Sequence, residues 1–222
     1  MSTAKKRVSV TCVSDLHGTY PKLQGGDILI VAGDLTGMDS PAEYYRFSNW
    51  LLDQKYEKKV FIAGNHDGRI EKCCPMINDE LMFKGYLEDR STSYEGWNIW
   101  GSPWTPEFCN WHFMLPRGAE IKAKWDLIPQ DTDILVTHAP PYGILDTPSR
   151  NKTKYGCVDL ALRVKEVKPR LHVFGHIHGG YGIRTIENDD GTKTTFINAA
   201  HMDEDYEPVN RPITLWLGEN DD

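Results

Sequence analysis

Five short apolar runs, each followed directly by residues that can bind a metal ion, constrain the fold of this chain more than any other feature. The runs and their followers are residues 8–14 with Asp15 and His17, 28–32 with Gly33 and Asp34, 60–63 with Gly64, Asn65, His66 and Asp67, 134–137 with His138, and 171–174 with Gly175, His176 and His178. Buried strands of an α/β sheet are typically such runs, and these sheets bind ligands at the carboxyl ends of their strands. If the five ends meet, two aspartates, one asparagine and several histidines converge in one crevice, which predicts a two-metal site.

The length and composition indicate a single domain. A chain of 222 residues can bury a substantial core as one unit, so residues 1–222 are predicted to form one domain. No apolar run approaches the roughly 20 residues of a membrane span. Residues 1–7 also lack the apolar stretch of a secretory signal. We therefore expect a cytoplasmic protein without a membrane partner.

The net charge of −7 bears on the partners of the chain. Broad nonspecific binding to nucleic-acid backbones needs a basic surface, so we expect no stable nucleic-acid partner. A small anionic substrate is compatible with this charge, because bound metal ions reverse the local field. The sequence leaves the oligomeric state open, with a homodimer as one alternative.

The cysteines form neither a disulfide framework nor a zinc-finger pattern. There are five, Cys12, Cys73, Cys74, Cys109 and Cys157, an odd number that includes an adjacent pair. Reduced thiols in a cytosolic protein are the better interpretation, since disulfide frameworks belong to oxidising compartments. No cysteine falls among the motifs, which disfavours a structural cysteine–zinc site.

Strand signals alternate with helix signals, which favours an α/β architecture. Ser40, Pro41 and Glu43 are typical of a capped helix start, and the helix that follows is expected to cover the sheet. Two more helices are predicted at residues 119–127 and 158–167. Segments 182–187 and 192–198 flank an Asp-Gly turn and predict a hairpin, and residues 213–217 predict a last strand.

The types of candidate ligand indicate which metals would suit the site. Carboxylate oxygens, imidazole nitrogens and an amide oxygen suit Mn, Fe, Zn or, less specifically, Mg. We take two divalent metal ions as the cofactors, with manganese as the first choice in vitro. Asp15 and His17 are two positions apart, so an extended segment places both side chains on the same side, and His176 and His178 repeat this spacing.

Asp34 and the residues around Asn65 could carry the chemistry. Two metals about 3.5–4 Å apart can hold a hydroxide between them and clamp both sides of an in-line phosphoryl displacement. Such a pair needs a shared carboxylate, and Asp34 is the natural bridge because it lies between the two ligand groups in sequence order. His66 follows Asn65 directly, so it would lie near the metals without binding one and could stabilise the phosphoryl oxygens or protonate the leaving oxygen. Asp67 could orient His66.

Each motif also has an ordinary structural explanation. An isolated Asp-x-His or Gly-Asp is commonly a surface turn, and a strand-end histidine such as His138 can be purely structural. The joint pattern, in this order and always at strand ends, favours the metal site. Outside the motifs, His112 and His172 are interpreted as structural, whereas His201 follows a strand end and could approach the substrate.

Taken together, the motifs resemble the five signature blocks of the calcineurin-like metallophosphoesterases. Their order and intervals agree across almost the whole chain. The resemblance implies an α/β fold, a four-layer α/β/β/α sandwich of two mixed sheets flanked by helices. It also implies that His66 is a catalytic histidine that binds neither metal. The implied ligand sets are Asp15, His17, Asp34 and His178 for one metal, and Asp34, Asn65, His138 and His176 for the other.

Further segments resemble the metallophosphoesterase-domain subfamily, notably residues 101–106, 115–118, 124–129 and 171–178. Members of that subfamily act as metal-dependent phosphodiesterases, including on cyclic nucleotides. The resemblance implies that a metal-bridging hydroxide attacks a small phosphodiester in line while His66 assists the leaving group. A phosphomonoesterase such as a protein phosphatase, a nuclease and a non-catalytic scaffold are the alternatives left open.

Four residues are the predicted substrate contacts: Asn65, His66, Trp104 and His201. Trp104 and Trp111 flank a proline-rich loop and could stack on a nucleobase, a contact worth roughly 1–3 kcal/mol per base. Packing of the loop against the sheet is the alternative for both tryptophans. Arg117 could bind a phosphate or form an ion pair at the surface, and the sequence favours neither.

Overall fold

Strands and helices alternate along much of the chain. The computed structural model describes residues 5–72 and 84–218. Within these residues the strands are β1 (Val8–Val13), β2 (Gly26–Ala32), β3 (Tyr56–Ile62), β4 (Arg90–Tyr94), β5 (Trp97–Ser102), β6 (Thr105–Pro106), β7 (Met114–Leu115), β8 (Ile134–Thr137), β9 (Leu171–Phe174), β10 (Gly182–Glu187), β11 (Lys193–Asn198) and β12 (Ile213–Leu217). The α-helices are α1 (Pro41–Asp53), α2 (Gly68–Glu71), α3 (Ala119–Trp125) and α4 (Val158–Val167), and a 3-10 turn spans His178–Gly180.

The strands form two large mixed sheets and one short pair. The first sheet has the order β12-β1-β2-β3, with β1, β2 and β3 parallel and β12 antiparallel to β1. The second sheet has the order β10-β11-β9-β8-β5-β4, in which the four central strands are parallel and the two edge strands are antiparallel to their neighbours. Strands β6 and β7 pair separately. The parallel strands of each sheet therefore end on a common side.

Three buried clusters hold four layers together. Val10 and Ile30 of the first sheet share the inner cluster with Ile99 of the second. Phe47 of α1 belongs to the cluster on the outer face of the first sheet, and Trp125 of α3 belongs to the cluster on the outer face of the second. Burying a side chain of this type contributes about 1.5–3 kcal/mol. The predicted α/β/β/α sandwich is confirmed.

Local sequence signals correctly place several elements. Helix α1 begins with the predicted capping box, because Ser40 Oγ accepts from the Glu43 N–H and the Glu43 carboxylate accepts from the Ser40 N–H. Helix α4 has the predicted bounds, and α3 begins as predicted but ends at Trp125. The hairpin of β10 and β11 and the last strand β12 are also present.

Two further sequence features can be located in the structure. Cys12 and Cys157 are buried free thiols, and Cys109 is an exposed free thiol. Cys73 and Cys74 lie outside the described residues. None of the helices in the described part of the chain combines the length and the apolar character needed to cross a membrane.

Candidate metal centre

The carboxyl ends of five parallel strands carry the predicted metal ligands to one side of the sandwich. Asp15 follows β1, Asp34 follows β2, Asn65 follows β3, His138 follows β8 and His176 follows β9. The two sheets are joined here through Ser14, whose N–H donates to the Ala199 carbonyl at 2.8 Å and whose carbonyl accepts from the His201 N–H at 2.8 Å. Ligands from both sheets are thereby brought together.

Three overlapping groups of side chains bring possible ligand atoms within 4.8 Å of one another. The groups are Asp15, His17 and His178; His17, Asp34 and His66; and Asp15, Asp34 and His138. Asp34 Oδ2 lies 3.7 Å from His17 Nε2 and 3.4 Å from His138 Nε2. Asp34 therefore lies between the two predicted ligand sets, the position that a shared carboxylate requires.

The remaining predicted ligands lie beside His138. Asn65 Oδ1 is 3.1 Å from His138 Nε2. The His176 ring lies 5.1 Å from the His138 ring between centroids and belongs to none of the three close groups. His176 and Asn65 both line the cavity described below. The structure thus gathers all seven predicted ligands on one side of the sandwich.

The hydrogen bonds of two histidines leave nitrogen lone pairs aimed at other acceptors. His138 Nδ1 lies 2.9 Å from the Ala32 carbonyl, and His178 Nδ1 lies 2.8 Å from the Asp203 carbonyl. A carbonyl can only accept, so each Nδ1 carries the proton and, in the neutral ring, each Nε2 carries the lone pair. His138 Nε2 then faces Asn65 Oδ1, and His178 Nε2 faces Asp15 Oδ1 at 3.4 Å.

Each of these contacts is satisfied by a positive charge, either a second proton on the histidine ring or a metal ion between the two ligand atoms. A histidine whose Nδ1–H donates to a carbonyl while its Nε2 points at other ligand atoms is the usual arrangement around a bound metal. His17 supports the same conclusion, because its buried Nδ1 atom has no hydrogen-bond partner among the described residues. The residues present therefore fit divalent ions that accept oxygen and nitrogen ligands.

The charge states of three buried ligands suit metal binding, whereas His138 must lose a proton to bind. Burial opposes protonation of His138, but the charge of Asp34 outweighs it and raises the pKa of His138 to about 9. Burial opposes ionisation of Asp15, but the hydrogen bond and charge of His178 outweigh it and lower the pKa of Asp15 to about 2. Burial also opposes ionisation of Asp34, yet the charge of His138 holds the pKa of Asp34 well below its usual value. Burial lowers the pKa of His17 to about 4. The carboxylates are therefore ionised and His17 is neutral at pH 7, as ligand binding requires.

Several of these ligands have an unusual backbone conformation. Four of them have a positive φ angle: 51° at Asp15, 43° at His17, 50° at Asp34 and 66° at His176. Residues held in this strained region cluster at functional sites. Gly175 permits the close approach of one strand end to another, because an added Cβ would lie 2.0 Å from Asp15 Oδ2 and 2.1 Å from Ser14 Oγ. The glycines in the motifs thus have a packing role.

His66 lies among the ligand groups with its tautomer fixed by the backbone. Its Nδ1 donates to the Gly37 carbonyl at 3.0 Å, and its own N–H donates to Asp34 Oδ1 at 2.8 Å. Its ring centroid lies 4.6 Å from that of His17 and 4.3 Å from that of Trp111. The proton that His66 could exchange with a substrate is therefore the one at Nε2.

The predicted role of Asp67 needs correction. The Asp67 carboxylate is fully buried and accepts from the backbone N–H groups of Leu35, Thr36 and Gly64 at 2.8–3.1 Å. Burial, followed by the charge of Asp34, raises the pKa of Asp67 to about 7. Asp67 therefore ties together the loops after β2 and β3, while the Gly37 carbonyl orients the His66 ring.

A cavity of about 340 Å³ opens beside the candidate ligands. Its lining includes Asp34, Asn65, His66, His176 and His178, together with Phe108, Trp111, Arg117, Tyr155 and Tyr206. Two guanidinium N–H groups of Arg117 donate to the carbonyls of Tyr155 and Gly156. The candidate metal centre is therefore accessible to a small molecule, and the walls around it include four aromatic side chains, one arginine and Glu107.

Two of the predicted substrate contacts lie elsewhere. The Trp104 indole N–H donates to Asp89 Oδ2 at 3.0 Å, and Lys124 Nζ lies 4.3 Å from the centre of the Trp104 ring. His201 is 8% exposed, and its Nδ1 donates to the Asn210 carbonyl at 2.8 Å. Neither residue is part of the cavity lining, so the structure assigns both a packing role.

Other residues take the places expected of Trp104 and His201. Trp111 is 44% exposed and lines the cavity, which favours it over Trp104 as the tryptophan beside the site. Phe108 and Tyr206 also line the cavity, and neither was predicted from the sequence. They lie in loops without a recognisable motif, so no local signal pointed to them.

Comparison with known proteins agrees with this fold and site. The family model described as calcineurin-like phosphoesterase matches residues 8–180. The chain is 40% identical over 232 residues to the human protein named metallophosphoesterase domain-containing protein 1, an alignment that covers 93% of this chain and 70% of the human one. The mouse protein of the same name gives the same figures.

Solved structures share the fold at low sequence identity. A protein of Thermus thermophilus has a TM-score of 0.58 and 15% identity, over 86% of this chain and 89% of that one. The purple acid phosphatase PPD1 of yellow lupin has a TM-score of 0.56 and 14% identity, over 98% of this chain and 50% of that one.

Proposed function

The chain belongs to the calcineurin-like phosphoesterase family, and from that premise we propose that it is a phosphodiesterase that hydrolyses small phosphodiesters, with cyclic nucleotides among its candidate substrates. Membership of the family makes it a metal-dependent phosphoester hydrolase. The observation that carries the proposal is the position of Asp34 between two groups of ligand atoms at the floor of an open cavity.

Two sets of side chains would hold two divalent ions. We assign Asp15, His17, Asp34 and His178 to one ion, and Asp34, Asn65, His138 and His176 to the other. When bound, two such ions supply Lewis acidity toward water and toward the phosphoryl oxygens of a substrate. Manganese is our first choice for assays, and iron, zinc and magnesium suit the same ligand atoms.

His66 is the proposed proton donor to the leaving oxygen. Its Nδ1–H is held by the Gly37 carbonyl, so a protonated ring presents its second N–H at Nε2. The ring is close to Asp34 and His17 and lines the cavity, which supports a role for this proton at the leaving oxygen of a bound substrate. General acid catalysis of this kind typically contributes 10²–10⁴-fold to the rate.

The cavity supports a diester rather than a monoester as substrate. A phosphodiester has two ester groups and one negative charge, whereas a monoester has one ester group and up to two charges. The aromatic walls provide space for ester groups beyond the metal ligands. Among the described residues that line the cavity, Arg117 is the one Lys or Arg side chain available to balance further charge.

The test compares two chromogenic substrates. Metal-stripped protein would be assayed with bis-p-nitrophenyl phosphate and with p-nitrophenyl phosphate, before and after the addition of Mn²⁺. We expect metal-dependent turnover with a higher kcat/KM for the diester. A preference for the monoester would replace the proposal with a phosphatase, and loaded protein that turns over neither substrate would contradict the proposed activity.

A further inference from the structure

Three aromatic side chains surround the cavity, and each packs against a different part of the candidate metal centre. Phe108 lies 5.2 Å from His176, Trp111 lies 4.3 Å from His66, and Tyr206 lies 5.0 Å from both His17 and His178, all between ring centroids. All three line the cavity. We refer to Phe108, Trp111 and Tyr206 as the aromatic rim.

The rim leaves an unusual amount of aromatic surface in contact with solvent. Phe108 is 41% exposed, Trp111 is 44% exposed and Tyr206 is 56% exposed. By contrast, Trp100 and Trp125 are almost completely buried in the core. Apolar surface that is concentrated around a concave site and bordered by polar groups marks a place where a ligand binds.

The two loops that carry the rim are held in place by hydrogen bonds. In the first loop, between β6 and β7, the Glu107 N–H donates to the Leu115 carbonyl at 2.9 Å. In the second loop, before β12, the Tyr206 N–H donates to the Asp203 carbonyl at 3.1 Å, and that carbonyl also accepts from His178 Nδ1. The base of the first loop and the backbone of Tyr206 are therefore held in place, which reduces the entropy lost when a ligand is bound.

We infer that the aromatic rim is the specificity-determining element of the site and that it binds a flat, unsaturated ring in an ester group next to the scissile phosphate. The inference rests on the proposed phosphodiesterase function. One side of the Trp111 ring is occupied by His66, and its exposed part remains available to such a ring. Stacking of one ring on an aromatic side chain strengthens binding by about 10-fold. The ring could be a nucleobase or a simple aryl group.

Binding measurements can test the rim without requiring turnover. The Mn²⁺-loaded protein would be titrated calorimetrically with thymidine 5′-monophosphate, phenyl phosphate and ribose 5-phosphate, which share a phosphate but differ in the ring. We expect at least one ring-bearing ligand to bind about 10-fold more tightly than ribose 5-phosphate. W111A and Y206A should each reduce this ratio several-fold, while W111F should keep most of it.

Trp216 provides the matched control. It is 43% exposed, close to the exposure of Trp111, but it lies on β12 beside Arg7 and is not part of the cavity lining. W216A should therefore leave all three dissociation constants unchanged. A loss in W111A that is confined to thymidine monophosphate would identify the ring as a nucleobase, and equal losses for phenyl phosphate would identify any flat ring close to the phosphate.

Two outcomes would overturn the inference. One is equal affinity of the wild-type protein for all three ligands, and the other is an equal loss for all three in W111A and Y206A. The failure of the inference can be told apart from the failure of the proposed function. Diester turnover without a ring preference would remove only the role of the rim, whereas ring-dependent binding without any diester turnover would remove only the proposed activity.

Discussion

The Nε2 atoms of His17 and His178 face each other across 3.3 Å, although the two residues are 161 positions apart in the chain. The Nδ1–H of His178 is already donated to the Asp203 carbonyl, so its Nε2 acts as an acceptor in the neutral ring. A proton on His17 Nε2 would satisfy this contact, and so would a metal ion that takes up the two Nε2 lone pairs. The nearby carboxylates of Asp15 and Asp34 favour the metal ion, because they complete a set of oxygen and nitrogen ligands.

Removal of the charge of Asp34 should cost both metal and activity. Asp34→Asn preserves the shape of the side chain but deprives both ligand sets of their shared carboxylate. We expect the bound metal, measured by mass spectrometry of the desalted protein, to fall by at least one ion per chain, and kcat/KM to fall by about 100-fold or more. Asp27→Asn is the control, because Asp27 binds Ser9 away from the cavity. Full metal content in Asp34→Asn would contradict the bridging role.

His66→Ala should separate catalysis from metal binding. Because His66 is proposed to donate a proton rather than to bind metal, we expect kcat to fall by about 10²–10⁴-fold while metal content remains unchanged. His112→Ala is a suitable comparison, since His112 pairs with Glu71 at 2.9 Å and is not part of the cavity lining. A kcat that does not change in His66→Ala would refute the assigned role.

The parts of the site that were predictable are those with a local signal. Candidate ligands follow apolar runs directly, and parallel strands bring such positions to the same side of a sheet. Asp15, Asp34 and His138 are therefore close together in the structure, as the pattern of the sequence indicates. The capping box of Ser40 and Glu43 is another signal contained within a few residues.

The parts that were not predictable depend on tertiary placement. Trp104 and Trp111 flank the same loop, and nothing local distinguishes the indole that reaches Asp89 from the one that reaches the cavity. Asp67 follows His66 in sequence, and its backbone has a φ of −109° and a ψ of 47°. Its carboxylate nevertheless binds backbone outside the motif, including the Leu35 N–H after β2. Tyr206 reaches the site from a loop that carries no motif.

Loss of the Asp67 carboxylate should destabilise the fold. Asp67→Ala leaves the backbone N–H groups of Leu35, Thr36 and Gly64 without their acceptor. Each buried unsatisfied donor costs about 1–3 kcal/mol, so the free energy of unfolding should fall by about 3 kcal/mol or more in urea titrations. Asp126→Ala removes a carboxylate from an exposed pair with Lys122 and should have little effect. Similar unfolding midpoints for the two variants would disprove this structural role.

A methyl group at Gly175 should disturb the ligands without removing any of them. In Gly175→Ala the new Cβ would lie 2.0 Å from Asp15 Oδ2, so the Asp15 carboxylate must shift. We expect weaker metal binding and lower activity, together with a loss of about 1–3 kcal/mol in stability. Gly191→Ala is the control for metal binding, because its added Cβ meets no other atom within 4 Å and lies away from the ligands, while its φ of 80° adds a backbone strain that Gly175→Ala lacks. Equal metal affinity in the two variants would show that the clash is relieved without moving Asp15.

Metal binding itself should stabilise the fold. His138 Nε2 and Asn65 Oδ1 lie 3.1 Å apart, and the Asp34 carboxylate lies close to both ligand sets, so the folded chain brings the ligands of an ion together. An ion that binds only the folded state adds about 2.7 kcal/mol when its concentration is 100 times its Kd. For a chain of this size, that gain corresponds to a rise in Tm of about 5–10 °C for each ion. Scanning calorimetry of the stripped protein, with and without Mn²⁺, would measure the rise, and Asp34→Asn should lose at least half of it. A Tm that does not respond to Mn²⁺ in the wild-type protein would mean that these side chains do not form a metal centre, because a ligand that binds the native state selectively must raise its stability.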